Sequence, residues 1–322
     1  MNPTNQIDPH VYQAAHHTAV IVDRSDLGRL KFSGTTRLDL LHRMSTQAVN
    51  ALQAGEGAAT ILTTDIGRII DRLLLYADDA SVLVLTGENN ADFIARYLLR
   101  FVFFNDDFRL ENVGNDTAVF GVYGPQAEQM LAAAGFPETD LPPHHWRQAA
   151  IGGVTANLHR TDPIAGDGYF VMAQRADKDT LHAHLLAAGL TAADETAYDY
   201  LRLESGNPRF GHELTQDYIP LEANLWADVS FKKGCYIGQE IIARLESRGK
   251  LAKRLVRLSL KSSAEPGVEI TADGKKVGSL TSVGSGPAGI LALGYVKTAV
   301  LDAISAPNSP VLRVEETAVT LL

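Results

Sequence analysis

The chain has 322 residues, 45% hydrophobic and 21% charged, a balance that supports a large soluble core and, at roughly 100–200 residues per domain, two or three domains. Twenty-nine Lys and Arg against 38 Asp and Glu leave a net charge of -9, which disfavours general nucleic-acid binding because phosphate contacts need clustered cations. The single cysteine, Cys235, excludes an intramolecular disulfide and any metal site built on cysteine pairs within one chain.

The first third mixes strands and helices. Leu30-Lys31-Phe32-Ser33 alternates in polarity, Gly34 turns the chain, and Leu38, Leu41 and Met44 mark one face of a helix. Strands follow over 59–63, 69–76 and 81–86, joined by turns at Asp65-Ile66-Gly67 and Asp78-Asp79. Asn89 or Asn90 is placed to cap a helix running through Phe101. The middle third opens with a strand over 118–123, ended by Gly124-Pro125, and a helix from Gln126. A helix over 178–186 and another through Leu201 follow, and 137–145 reads as a loop.

From about Arg254 the texture changes to short alternating strands over 254–260, 268–271, 276–283, 290–296 and 311–322. Such strands, punctuated by Gly and Pro, indicate a small β-barrel or sandwich. Gly284 to Gly289 spells G-x-G-x-x-G, but a strand-like run follows it and Pro287 lies inside it. A dinucleotide site needs that turn to open a helix, so a hairpin loop is expected instead.

The amino-terminal run Met1 to Gln6 lacks the basic and apolar regions of a signal peptide. No stretch reaches the ~18 apolar residues that span a bilayer. A cytoplasmic protein without a membrane partner is expected. His16, His17, His144, His145, His182 and His184 lack the i, i+4 spacing of hydrolytic zinc sites and read as solvated surface groups.

One segment carries chemistry. In Phe231 to Arg244, the spacing of Ile237, Ile241 and Leu245 places a helix start near Cys235. A thiol there, beside Lys232 and Lys233, has its thiolate favoured by backbone N–H groups and charge; an inert cysteine remains the alternative. Residues 232–257 carry eight cations against Glu240 and Glu246. That +6 segment on an acidic chain points to a local anionic ligand or partner, or else to a solvated helix face.

Lys233-Gly234-Cys235-Tyr236-Ile237-Gly238-Gln239-Glu240 resembles the K-G-C-[YF]-x-G-Q-E signature of YgfZ-type folate-binding proteins, relatives of the glycine-cleavage T-protein. The segments 201–211, 219–225, 122–127 and 33–46 resemble further family patterns in the family's order. The resemblance implies an α+β fold of three lobes: residues 1–114, residues 115–246 bearing the cysteine motif, and a C-terminal β-barrel over 247–322, the first two free to interleave. These surround a central channel for tetrahydrofolate.

It also implies a role in iron–sulfur cluster assembly or repair, and thereby tRNA modification, in company with assembly or client proteins and without direct nucleic-acid binding. Cys235 would act as redox or ligating thiol, with Lys232, Lys233 and Arg244 lowering its pKa. No intrinsic metal site is implied, since a cluster normally takes four protein ligands. Arg202, Glu204, Glu222, Tyr169, Lys233, Arg244 and Asp71 are carried over as channel or cofactor-binding residues. The alternative is a tetrahydrofolate-dependent aminomethyltransferase with Asp71 as its carboxylate, and a third reading is a binding module that recruits a partner through the basic segment. Three positions depart from the patterns: Arg72 replaces a second aspartate, Gly166 replaces a pterin-holding glutamate, and Leu27 replaces a tryptophan.

Overall fold

The computed structural model describes residues 6–304 and 310–322. Its first sheet has five antiparallel strands in the order Gly57–Thr63, Ile69–Ala77, Ser81–Glu88, Leu27–Ser33 and Arg109–Asn112. One face packs Leu30, Phe32, Leu73, Leu75 and Val84 against Leu41 and Met44 of helix Arg37–Met44 and Ile94 and Leu98 of helix Ala91–Leu99. The other face contributes Ile61, Ile69, Tyr76 and Leu85 to a core shared with the second sheet. Burial on both faces explains why Ile69–Ala77 reads as a nearly continuous apolar run rather than a clean alternation.

The second sheet has six strands in the order Thr191–Ala193, Val20–Asp23, Thr117–Gly124, Asp167–Gln174, Val154–Arg160 and Trp146–Ile151. Val20–Asp23 comes from the first third of the chain, so the two α+β lobes interleave. Helices Ala127–Ala133 and Lys178–Ala187 cover its outer face through Ala127, Leu131, Leu181 and Leu185. The sequence pattern does not single out the strands over 20–23, 146–151, 154–160, 167–174 and 191–193, although Val154, Ala156 and Leu158 alternate as a half-buried strand should.

The C-terminal part is a seven-stranded antiparallel sheet that nearly closes into a barrel, in the order 317–318, 312–314, 269–272, 275–286, 289–297, 253–260 and 320–321. Its two end strands are separated in sequence by Val319 alone, so the last few residues touch both edges. Gly286 pairs with Gly289 across the tip of one hairpin, as expected of the glycine-rich run. The fold is thus α+β with two lobes and a terminal β-barrel.

Three local expectations are corrected. Helix Gln239–Arg248 begins four residues after Cys235, with Gly238 in the left-handed conformation at its N-cap, so Cys235 does not lie at a helix N-terminus. Ile237 therefore precedes the helix, and Ile242 on it is fully buried. Asn90 occupies the N-cap of Ala91–Leu99, but its side chain makes no capping bond and goes to Asp71 instead. Several histidines belong to the framework: His182 stacks on Phe120, His184 bonds the carbonyl of Ala134, and His16 pairs with Glu204 at 2.8 Å.

Candidate functional site

A cleft opens where the first sheet, the second sheet and the segment after helix Glu195–Ser205 meet, with a cavity of about 100 Å³. Apolar walls come from Leu27, Leu74, Leu85, Ile164 and Leu214, and aromatic surface from Tyr123, Tyr198 and Phe210. Asp71 and Arg72, adjacent on strand Ile69–Ala77, both line it. Asp71 is wholly buried, and its carboxylate accepts hydrogen bonds from the backbone N–H of Gly87 (3.0 and 3.2 Å) and from Asn90 Nδ2 (2.8 Å). Burial outweighs these bonds and pushes its pKa up to about 7. A carboxyl that titrates near neutrality in a cleft is a recognised mark of a functional group.

Arg72 spans the cleft. Its guanidinium binds Asp228, on the turn Trp226–Asp228 that precedes the cysteine-bearing segment, at 2.5 Å and Asp162 from the second lobe. Burial opposes its charge, but Asp162 and Asp228 overcome that and hold it fully protonated. At the cleft's other end Arg24 and Arg209 both donate to Oε1 of Glu88 at 2.8 Å, and Arg24 lies 3.8 Å from the centroid of Tyr198. Arg209 also binds Asp199 and Glu195, at 2.8 and 2.6 Å. The carboxylates that line the cleft are thus already paired or hydrogen-bonded within the protein.

The cysteine motif forms a strap laid over the first lobe. Lys233 extends its ammonium into a cage of three carbonyls, those of His42, Ser45 (2.7 Å) and Gln47 (3.0 Å), one for each N–H. Burial lowers its pKa to about 8. At the other end Thr63 Oγ1 donates to the carbonyl of Ile237 at 2.6 Å. Gly238 adopts φ +85°, and a Cβ there would come within 2.5 Å of the carbonyl of Thr64. Only glycine permits that approach. Between these anchors Cys235 is exposed.

The remaining candidates are scattered. Arg202 is buried in a joint with the barrel, where it binds Asp199 (2.8 Å), Glu213 (3.0 Å) and Ser282 (2.8 Å). Glu204 accepts from Tyr12 at 2.9 Å and pairs with His16. Glu222 accepts from the N–H of Ile219, and burial raises its pKa. Tyr169 donates to the carbonyl of Thr139 at 2.9 Å beside Arg160, and burial pushes its pKa up to about 12. Arg244 is exposed and pairs with Glu240 at 2.5 Å. Of the carried-over residues only Asp71 lines the cleft.

The cations of the 232–257 segment also disperse: Arg254 binds Asp302 (3.1 Å), Arg257 the carbonyl of Glu204, and Lys253 packs 4.3 Å from the centroid of Tyr218. Sequence reasoning missed Arg24, Glu88, Asp162, Asp199, Arg209 and Asp228. They lie far apart along the chain, so no local spacing announces them.

Comparison with known proteins then fixes the family. Residues 7–233 match the GCVT N-terminal domain, and residues 253–322 match the CAF17 C-terminal β-barrel domain. The chain belongs to the glycine-cleavage T-protein superfamily, in its CAF17/YgfZ-type branch. A chloroplastic protein of Arabidopsis thaliana with a provisional transferase name is 31% identical over 293 residues, 90% of this chain and 68% of that protein. The aminomethyltransferase of Thermus thermophilus is 29% identical over 292 residues, 88% of this chain and 80% of that enzyme. The crystal structure of the glycine-cleavage aminomethyltransferase T from Bartonella henselae superposes with a TM-score of 0.82 at 21% identity, covering 97% of this chain and 87% of that one.

Within this superfamily the departures acquire physical causes. Arg72, where T-proteins place a second aspartate, is held by two carboxylates. Gly166, where they place a glutamate, has φ +135°, and a Cβ there would lie 2.6 Å from the nitrogen of Pro125. No side chain is accommodated at that position in this backbone. The cleft's aromatic and carboxylate walls suit a pterin ring chemically. Its volume is well below the ~300 Å³ that a drug-sized ligand needs, and its carboxylates already have partners. As arranged, the cleft does not fit tetrahydrofolate. Among the described residues no group of three or more His, Cys, Asp and Glu side chains is placed to hold a metal ion, and no helix is long and apolar enough to cross a membrane.

Proposed function

We propose that this chain serves iron–sulfur cluster assembly or repair, and through it tRNA modification, with Cys235 as the thiol that exchanges with or transiently ligates a cluster carried by a partner. The observation that carries this reading is the strap: an exposed thiol held between two anchored ends, Lys233 in its carbonyl cage and Gly238 against Thr64. Exposure gives a partner access, and the fixed ends limit the entropy lost on docking. One cysteine cannot hold a cluster, so partners or small thiols supply the other ligands. The test is complementation of cells lacking the native protein with Cys235→Ala and Cys235→Ser. Loss of cluster-dependent enzyme activity with normal protein levels is expected, and full rescue by either variant overturns the thiol's role.

Tetrahydrofolate belongs to this reading as the ligand of an opened cleft. In this reading the bridge from Arg72 to Asp162 and Asp228 is what limits the room in the cleft. Arg72→Ala is expected to bind tetrahydrofolate at least about tenfold more tightly than the wild type in equilibrium titration, a gain of ~1.4 kcal/mol. Equal affinity would remove Arg72 as the barrier.

The second reading, a folate-dependent aminomethyltransferase, is favoured by one observation, the near-neutral titration of Asp71 in the cleft. The two donors that fix its carboxylate, Gly87 N–H and Asn90 Nδ2, and the cation beside it count against this reading. An assay for methylene-tetrahydrofolate formation separates the two. Turnover that Asp71→Asn abolishes would establish the enzyme, and no turnover leaves the accessory role.

A further inference from the structure

A second opening lies between the same two sheets, lined by residues that do not line the cleft. It holds about 380 Å³, within the range of small-molecule sites. Its floor is the inner face of the second sheet, where Trp146 pairs across strands with His159. The His159 ring is stacked on Trp146 (centroids 5.6 Å apart) and meets Tyr76 edge-on (4.3 Å). It is 1% exposed, and neither ring nitrogen has a hydrogen-bond partner among the described residues. Burial keeps it neutral, with a pKa lowered to about 3, so it offers one N–H and one lone pair, both unused.

The rim is anionic. Asp78, Glu111, Asp116 and one cation, Lys31, line it, Lys31 being the cross-strand partner of Glu111, and none of the four makes an ion pair among the described residues. Carboxylates around aromatic walls recognise a cation that carries an apolar body, through Coulomb attraction and the ring faces together. An anion meets net repulsion at the same rim.

We propose that this groove is a binding site for a small organic cation, an amine on an apolar or aromatic body, with Trp146 and Tyr76 as the aromatic walls, His159 as the buried polar contact and Asp78, Glu111 and Asp116 as the charge partners. The site is independent of the role assigned to Cys235.

The test uses phenethylamine as the probe and 3-phenylpropionate as its anionic counterpart. Binding is read from Trp146 fluorescence in a Trp226→Phe background, which leaves one tryptophan. Saturable binding of the amine and not of the acid is expected, weakening as salt is raised. Glu111→Gln and Asp116→Asn, both at exposed positions, should each lower the amine's affinity about fivefold. Absence of a saturable change up to about 10 mM amine, equal binding of amine and acid, or affinity unmoved by both substitutions would each overturn the proposal.

Discussion

The two openings between the lobes are built from the same sheets and follow opposite rules. In the cleft the charged groups answer one another: Arg72 joins Asp162 and Asp228, while Arg24 and Arg209 share Glu88. In the groove His159 keeps two unused nitrogens, and three carboxylates stand without an ion pair among the described residues. A buried network whose members are all satisfied fixes geometry and fills space, whereas unsatisfied buried polar groups are costly and call for an explanation. The contrast separates the part of the interface that holds the lobes in place from the part that is left to recognise something.

The sharpest way to break this contrast is Arg72→Ala. It strands two carboxylates, of which Asp228 is nearly buried, and should destabilise the protein by about 3 kcal/mol in urea unfolding. Adding Asp162→Asn and Asp228→Asn should recover part of that loss, because the cost lies in unpaired charge. A loss below about 0.5 kcal/mol, the scale of an ordinary surface substitution, would mean that the bridge does not fasten the lobes.

Asp71 gives an intermediate effect with a defined sign. Its folded pKa of about 7 lies above the ordinary aspartate value. Between about pH 4 and 7 the folded state therefore holds a proton that the unfolded state has lost, and this group's contribution falls as pH rises through that window. Wild type minus Asp71→Asn stability should drop by roughly 1–3 kcal/mol from pH 4.5 to pH 8. A flat difference across that range would show that the carboxylate is already ionised at acid pH.

The smallest effect belongs to Cys235. Exposed and without a packing role, it should tolerate Cys235→Ser within about 0.5 kcal/mol of wild-type stability. A soluble disulfide reagent should modify it in the native protein as fast as in a short peptide, within about tenfold. Protection in the folded state would place the strap under a cover that the exposed thiol does not indicate.

What the sequence revealed follows from how local each signal is. The helices at 37–44 and 178–187 and the barrel strands announce themselves by periodicity within a few residues. The cysteine motif is legible as a motif, but the sequence pattern starts its helix too early, because Ile237, Ile241 and Leu245 keep helical spacing across Gly238, whose left-handed conformation breaks it. The residue type and position of Asn90 suit a cap, and it does hold the N-cap position. Its attachment to Asp71, nineteen residues away in the chain, exists only once the strands have paired. The arginine–carboxylate network is wholly of this second kind, since Arg72, Asp162 and Asp228 meet only in the folded chain.

The barrel's seam has a consequence for the order of assembly. Leu258 pairs with Leu321 and Arg313 with Ala318, so both edges of the seven-stranded sheet await the short segment 317–321. A nascent chain exposes two unpaired strand edges until those residues have been synthesised. Closure then joins positions far apart in sequence, a slow kind of event. A chain lacking residues 317–321 would leave both edges open at once and be prone to edge-to-edge association.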